Sequence, residues 1–290
     1  MTIAPPSAPV LPAAVWRERE AAHETRARAS TAARRARQER RETHPVEDFL
    51  FTYYSYKPAV LHRWHPGEGV ELADAAADAR ARWRWYRPGS ARGAIAVDGA
   101  GFRAERGALV GNIARILRAT AYRAPGFGCF GLHEWAMVYR QAEHRHPVPL
   151  RLGQDATDAV VDAHDLRCTH FDAFRFFTLA AVPRNRETPT RERQAELEQP
   201  GCLHAGMDLY KWAVKLGPLV PGELLLDAFE LARDIRVLDM RASPYDLADW
   251  GYDAVPIETA EGKAAYVREQ RGFAERGAII RARLLEIAAG

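Results

Sequence analysis

Four short segments gather residues able to move protons or stabilise charge among large aromatic rings: GCFGLHEWAMVYR (128–140), RCTHFDAFRFF (167–177), QPGCLHAGMDLYKW (199–212) and LDMRASPYDL (238–247). A buried polar group that finds no partner costs a few kcal/mol, so core segments seldom mix His, Asp and Arg with aromatics this densely. Such a mixture marks a cleft. Asp172 stands between His170 and Arg175 and is flanked by Phe171, Phe174, Phe176 and Phe177, which puts donors and cations beside a carboxylate in apolar surroundings. Glu134 follows His133 directly, and Asp208 precedes Lys211 by three, a spacing that helical geometry turns into a shared face. Each of the three carboxylates, Asp172, Glu134 and Asp208, is a candidate to activate water, and His170 and His133 beside the first two join them as candidate catalytic residues. The competing reading is a set of structural ion pairs closing a polar core.

Cysteines raise a metal alternative. Cys168-x-His170 and Cys202-x-His204 share a spacing, and Cys129 precedes His133 by four. No CxxC or HxxxH pair accompanies them, and Cys often serves as a small buried hydrophobe, so the expectation is no metal and no cofactor. Gly126-Phe127-Gly128-Cys129-Phe130-Gly131 matches neither a Walker loop nor a dinucleotide fingerprint and reads as a tight loop before a helix. Gln154-Asp155 lacks the Pro-Tyr-His that would make it the water-activating motif of uracil glycosylases.

Elements that would position these residues can be read from periodicity and breakers. Helices are expected over 106–121, 132–141, 170–177, 203–216, 221–241 and 259–287, the fifth opening with Pro221 and Glu223. A small β insert near 82–105 is indicated by WRWY alternation and by Asp98-Gly99, read as a hairpin turn. Residues 1–14, rich in Pro, Ala and Ser, read as a disordered leader. Residues 15–43 read as a solvated Arg-rich helix ended at His44-Pro45. The expectation is a mainly α chain with a small β element (α+β): one compact catalytic domain over 44–290, preceded by a basic helix.

Composition narrows the class. With 290 residues, 47% of them hydrophobic, the chain can bury a core without staples. Three cysteines form no disulfide framework, and neither a signal peptide nor a run of ~20 apolar residues is present, which points to the cytoplasm and to no membrane. Residues 16–43 hold nine Arg and five Glu, a net +4 against +3 for the whole chain, so basicity is concentrated at one end. Phosphates need such charge, and bases need aromatic faces. Tyr53, Tyr54, Tyr56, Lys57, His62, Arg63 and Trp64 interleave rings with positive charge.

The stretches HPVEDFLFTYYSYKP, GCFGLHEWAMVYR, HFDAFRFF, EQPGCLHAGMDLYKWA and LDMRASPYDL together resemble an actinobacterial family labelled 3-methyladenine DNA glycosylase, from about His44 to the C-terminus. The resemblance implies hydrolysis of an N-glycosidic bond in double-stranded DNA that contains a modified base, by a monomer that flips the base into a pocket. A carboxylate would then stabilise oxocarbenium character at the sugar, with Asp172 ahead of Glu134 and Asp208. His170, His133 and His204 would bond the base or phosphate. Arg175, Lys211 and Arg241 would hold the backbone, and Tyr54, Lys57, Phe174 and Tyr210 would complete the DNA and base contacts. The chain departs from helix-hairpin-helix glycosylases, because 217–239 lacks their Gly-x-Gly loop and Asp239 has no assigned counterpart. Alkylated purines or bulkier enzymatic modifications are the expected substrates, in repair or in defence against phage with modified DNA. Rival classes are a metal-dependent hydrolase or oxidoreductase built on the Cys/His residues, and a non-catalytic DNA-binding protein.

Overall fold

A computed structural model describes residues 8–144 and 147–290. Its centre is a helical hairpin. Helix α8 (Leu203–Leu216) and helix α9 (Gly222–Arg241) pack against each other, joined by the turn from Gly217 to Pro221; the chain's earlier elements are numbered below. Gly217 has φ +56° and ends the helix by donating its N–H to the Val214 carbonyl, a conformation that glycine adopts without a Cβ clash. Pro221 then stands immediately before α9, where its fixed φ suits the first turn. Every residue from Leu203 to Tyr210 is buried, so the first half of α8 is walled in on all sides, and only its last turns reach solvent, at Lys215.

Helix α10 (Ala260–Ala289) lies across both members of this hairpin and across α3 (Gly99–Ala121). Each of these outer helices starts with a side-chain cap. Asp98 accepts from Gly101 N at 2.9 Å, and Thr259 accepts from Gly262 N at 3.0 Å, satisfying donors that a helix start leaves free. Short helices α2 (Phe49–Tyr53), α4 (Leu132–Ala136), α5 (Gly153–Asp162), α6 (Phe171–Phe174) and α7 (Gln194–Leu197) complete the set with α1 (Ala13–Arg40). Their brevity leaves much of the 122–202 region as loops pinned by side chains. Among the described residues no helix is long and apolar enough to cross a membrane.

The mainly α architecture with a small β element is as expected. Four strands, β1 (Val10–Leu11), β2 (Glu71–Leu72), β3 (Tyr86–Pro88) and β4 (Ile95–Val97), form a sheet in the order β1-β2-β4-β3. β1 pairs parallel with β2; the other pairs are antiparallel. The hairpin turn lies between Pro88 and Ile95 and not at Asp98-Gly99, because Asp98 is spent capping α3. The expected helices 106–121, 132–141 and 170–177 become 99–121, 132–136 and 171–174, whereas 203–216 matches α8 residue for residue.

Two further expectations change. Residues 1–7 of the expected leader lie outside the described residues, but Val10 and Leu11 belong to the sheet rather than to a disordered tail. Helix α1 is not merely solvated either: Trp16, His23, Ala27 and Thr31 are buried along one side, and the Trp16 indole N–H donates to the Ala73 carbonyl at 3.0 Å. Four of its arginines face the protein itself. Arg19 pairs with Glu223, Arg26 with Asp227 and Glu230, Arg34 with Asp48, and Arg37 with both Glu47 and Asp48. Clamping a helix onto α9 and α2 consumes part of the charge that the sequence suggested for phosphates, and Arg17, Arg28, Arg35 and Arg40 stay exposed. Trp16→Ala should therefore cost about 3–5 kcal/mol in urea unfolding. A change below about 0.5 kcal/mol would mean that α1 is the free helix its composition suggested.

Candidate active site

Helices α4, α6, α8 and α9 and the loop carrying Glu198 each send ionisable side chains into one buried region. On the α9 side, His133 Nε2 lies 2.8 Å from Asp239 Oδ1, and Arg236 Nη1 donates to Glu134 Oε1 at 2.9 Å and to Asp239 Oδ2 at 3.0 Å. On the α8 side, His170 Nε2 lies 3.0 Å from Glu198 Oε1 and 3.3 Å from Asp208 Oδ2. Asp208 also accepts from Lys211 and, at 2.9 Å, from the Tyr54 hydroxyl. His204 bridges the halves, with its ring centroid 4.6 Å from that of His133 and 5.4 Å from that of His170.

Electrostatics sort the three histidines. Burial works against a charged His170, but Glu198 and Asp208 outweigh it and hold its pKa up at about 9. Burial opposes a charged His133 as well, and Asp239 overrides it, lifting the pKa well above the usual value. His204 has burial and the neighbouring His133 charge against it, so its pKa falls well below 6.5 and the ring is neutral at physiological pH. The carboxylates answer in kind: burial alone would raise Asp208 and Asp239, but Lys211 and His170 beside the first and His133 beside the second hold both below the ordinary carboxylate range. Lys211 is buried against its charge, yet Asp208 keeps its pKa raised.

Beside this network opens a cavity of about 340 Å³. Phe49, Tyr53, Phe176 and Met137 form apolar walls, and Glu134, Asp172, Arg175, His204 and Arg236 place polar groups on it. Phe49 and Tyr53 stack one helical turn apart on α2, centroids 4.9 Å and planes 10° apart. Asp172 is the more accessible carboxylate, its side chain 18% exposed, and it rests against Arg175 at 3.2 Å and Lys211 at 3.5 Å. Glu134 is deeper, tied to Arg236. Arg236 is itself buried, packs its guanidinium 3.8 Å from the Phe49 ring centre, and meets no protein acceptor at Nε and Nη2.

Of the residues singled out from the sequence, Asp172, Glu134, Arg175 and His204 line the cavity. Asp208, His170, His133, Lys211 and Tyr54 sit behind that wall as its support. Phe174 and Tyr210 belong to the hydrophobic core, so neither offers a ring face to a base. Lys57 is exposed and lies outside the cavity lining. Arg241 is engaged elsewhere, donating to the Asp253 carbonyl at 2.9 Å. Sequence reasoning missed Arg236 and Glu198. Arg236 did carry a signal, because an arginine flanked by Ile235, Val237 and Leu238 on a core helix must find carboxylates, and Asp239 follows three residues later.

Among the described residues, the candidate cation sites differ from the Cys/His set that the spacing suggested. Two groups, His133/His204/Asp239 and His170/Glu198/Asp208, bring their ligand atoms within 4.8 Å of one another, and neither contains a cysteine. Burial pushes the Cys168 and Cys202 thiols up, which keeps them protonated. Arg236 and Lys211 already occupy the positive places beside Asp239 and Asp208.

No protein-family model, curated protein or solved structure matches the chain. The functional reading therefore rests on the site's own chemistry and on the motifs.

His170 makes the network sensitive to alkali. Its folded pKa stands above the unfolded value near 6.5, so the stabilisation is complete below that pH and disappears as pH rises through about 9. Chemical unfolding followed between pH 6 and 10 should show this fall, and His170→Asn should flatten it. An equally steep fall in the variant would assign the titration to another group.

Proposed function

We propose that the chain is a monofunctional DNA N-glycosylase that receives a flipped, modified base in the cavity between α2, α4, α6 and α9 and hydrolyses its bond to the sugar. The observation that carries this reading is the pairing, in one cavity, of stacking walls with two carboxylates held in different environments. Tyr53 and Phe176 supply aromatic surface for an unstacked ring, and Phe49, itself stacked on Tyr53 and covered by Arg236, backs that wall. Arg236, with donors to spare, and Glu134, an acceptor beside it, suit the edge of a base that presents both a carbonyl oxygen and an N–H. Asp172, nearer the mouth, suits the sugar, where a carboxylate stabilises oxocarbenium character and orients the attacking water. His204, neutral, can donate to or accept from the departing base without adding a charge that would oppose the cation forming at the sugar.

Resemblance of the five motifs to the glycosylase family supports the same reading. The volume of about 340 Å³ leaves room beyond an unmodified base, which favours a substituted one. Double-stranded DNA acted on by a monomer in the cytoplasm is the accompanying proposal, with repair or defence against phage with modified DNA as its setting. Four arginines of α1 are paired with other elements, and Arg175 is the cation nearest the cavity mouth, so DNA contact is assigned first to Arg175.

Incubation with duplexes carrying a panel of alkylated, deaminated or glycosylated bases, followed by alkali, should reveal strand breaks at one class of base. Asp172→Asn should lower the single-turnover rate about 100-fold or more while leaving duplex affinity within a few-fold. Abasic sites with none of these bases would sink the proposal.

A second reading, a metal-dependent hydrolase, draws on the two His/carboxylate groups. It predicts stoichiometric zinc or iron in purified protein and loss of activity on chelation. Glycosylase chemistry at Asp172 requires neither.

A further inference from the structure

A larger cavity lies away from that site. It encloses about 560 Å³ between α3, the β3 segment and the C-terminal half of α8. Trp83, Trp85, Tyr86 and Phe102 supply aromatic surface, and Arg63, Arg84, Arg106 and Lys215 supply positive charge. Glu105 answers part of it, pairing with Arg84 and, at 3.5 Å, with Arg106. Arg63 and Lys215 form no ion pair among the described residues. Burial and the neighbouring Lys211 depress the Lys215 pKa, so a bound anion would relieve a standing repulsion. His65 adds no charge, because burial, with Arg80 and Arg63 nearby, lowers its pKa to about 3.

Trp85 supplies an independent observation. Its φ of +119° lies in a region that bulky L-residues avoid, a conformation that costs on the order of 1–3 kcal/mol and concentrates at ligand clamps and active sites. The surroundings enforce it: Asp98 N donates to the Trp85 carbonyl at 2.8 Å, and the indole packs edge-on to Phe102 at 5.2 Å. The result is an indole held on the cavity with the Arg84 guanidinium 4.5 Å from its ring centre.

We propose that this cavity is a nucleotide-binding site, in which a planar base packs on Trp85 and Trp83 and its phosphate is held by Arg63 and Lys215. The volume lies within the ~300–1,000 Å³ of small-molecule sites and exceeds what an inorganic anion needs. Aromatic faces with unpaired cations are the chemistry of base and phosphate together. The nucleotide has two possible sources, a free nucleoside phosphate or one unit of a DNA strand. Helix α8 sets the spacing that the second source would have to cover: His204 lines the first cavity and Lys215, eleven residues or about 16 Å further along the helix, lines this one, while Asp208 between them is buried.

Titration of the full chain with thymidine monophosphate, followed by tryptophan fluorescence, should show saturable quenching. Thymidine and inorganic phosphate, each competing alone, should bind at least tenfold more weakly. Arg63→Ala/Lys215→Ala, both surface positions, should weaken the nucleotide at least tenfold, and Trp85→Leu should abolish the quench. The double variant keeps the test intact if Trp85→Leu fails to fold. An octathymidylate that binds more than tenfold tighter than the monophosphate, with the gain lost in Phe49→Ala, identifies a strand spanning both cavities; equal affinities identify a free nucleotide. Absent quenching, or affinity indifferent to the double variant, overturns the proposal. These are equilibrium measurements without base excision, so they stand or fall separately from the glycosylase assay.

Discussion

A carboxylate taken out of water has to bring a positive charge with it, since an unpaired buried ion costs several kcal/mol even after relaxation. Around the candidate site the described interior holds four such carboxylates, Glu134, Glu198, Asp208 and Asp239, each at most 4% exposed. Four cations balance them: Arg236, Lys211 and the protonated rings of His133 and His170. The balance is what lets α4, α6, α8 and α9 converge. Removing one member would leave its partner buried and unpaired, which is far more damaging than removing a surface pair. Positions of all four helices are thus fixed by charge as much as by the apolar core around them.

This neutrality also shapes the cavity. A charge-balanced wall presents oriented dipoles and fixed pairs without a large net field, and fixed pairs need no reorganisation when charge moves in a ligand. Asp172 is the exception at the mouth: its two cationic neighbours stand at 3.2 and 3.5 Å, and its side chain is partly open to solvent. It is accordingly the carboxylate able to exchange a protein cation for a ligand's developing positive charge. His204 remains neutral because it is buried and stands beside the charged His133, so the cavity keeps one polar group whose hydrogen-bonding role is free to change.

Much of this was legible in the sequence, for reasons that can be traced. Helix α8 was readable end to end because Gly217-Pro218 stops it and the run before it is strongly helix-forming. The gathering of His133, His170, His204, Asp172 and Glu134 was readable because polar residues crowded among aromatics must meet one another. What stayed hidden was partnership. Nothing local told that arginines of α1 would be consumed by Glu223, Glu230 and Asp48, because those pairs bridge separations of up to 204 residues. The same holds for Arg236, whose carboxylate partner Glu134 is 102 residues away. Asp98 misled for a different reason: Asp before Gly serves a hairpin or an N-cap equally well, and only the packing of α3 decides.

Helix α8 shows where local rules yield. A helix segment enclosed on every side satisfies its packing best with apolar residues throughout, yet the buried half of this one carries His204 and Asp208, continued along the same face by Lys211 and the exposed Lys215. Asp208 could not be tolerated there without Lys211 one turn on and Tyr54 and His170 from other elements. Substituting apolar residues of similar size for a buried ionic set is often neutral or stabilising, so stability alone gives no reason for the stripe. A sequence that departs from its own local preferences at one place does so where function or strain demands it. The stripe begins with His204 at one cavity and ends with Lys215 at the other, whose wall also carries the strained Trp85.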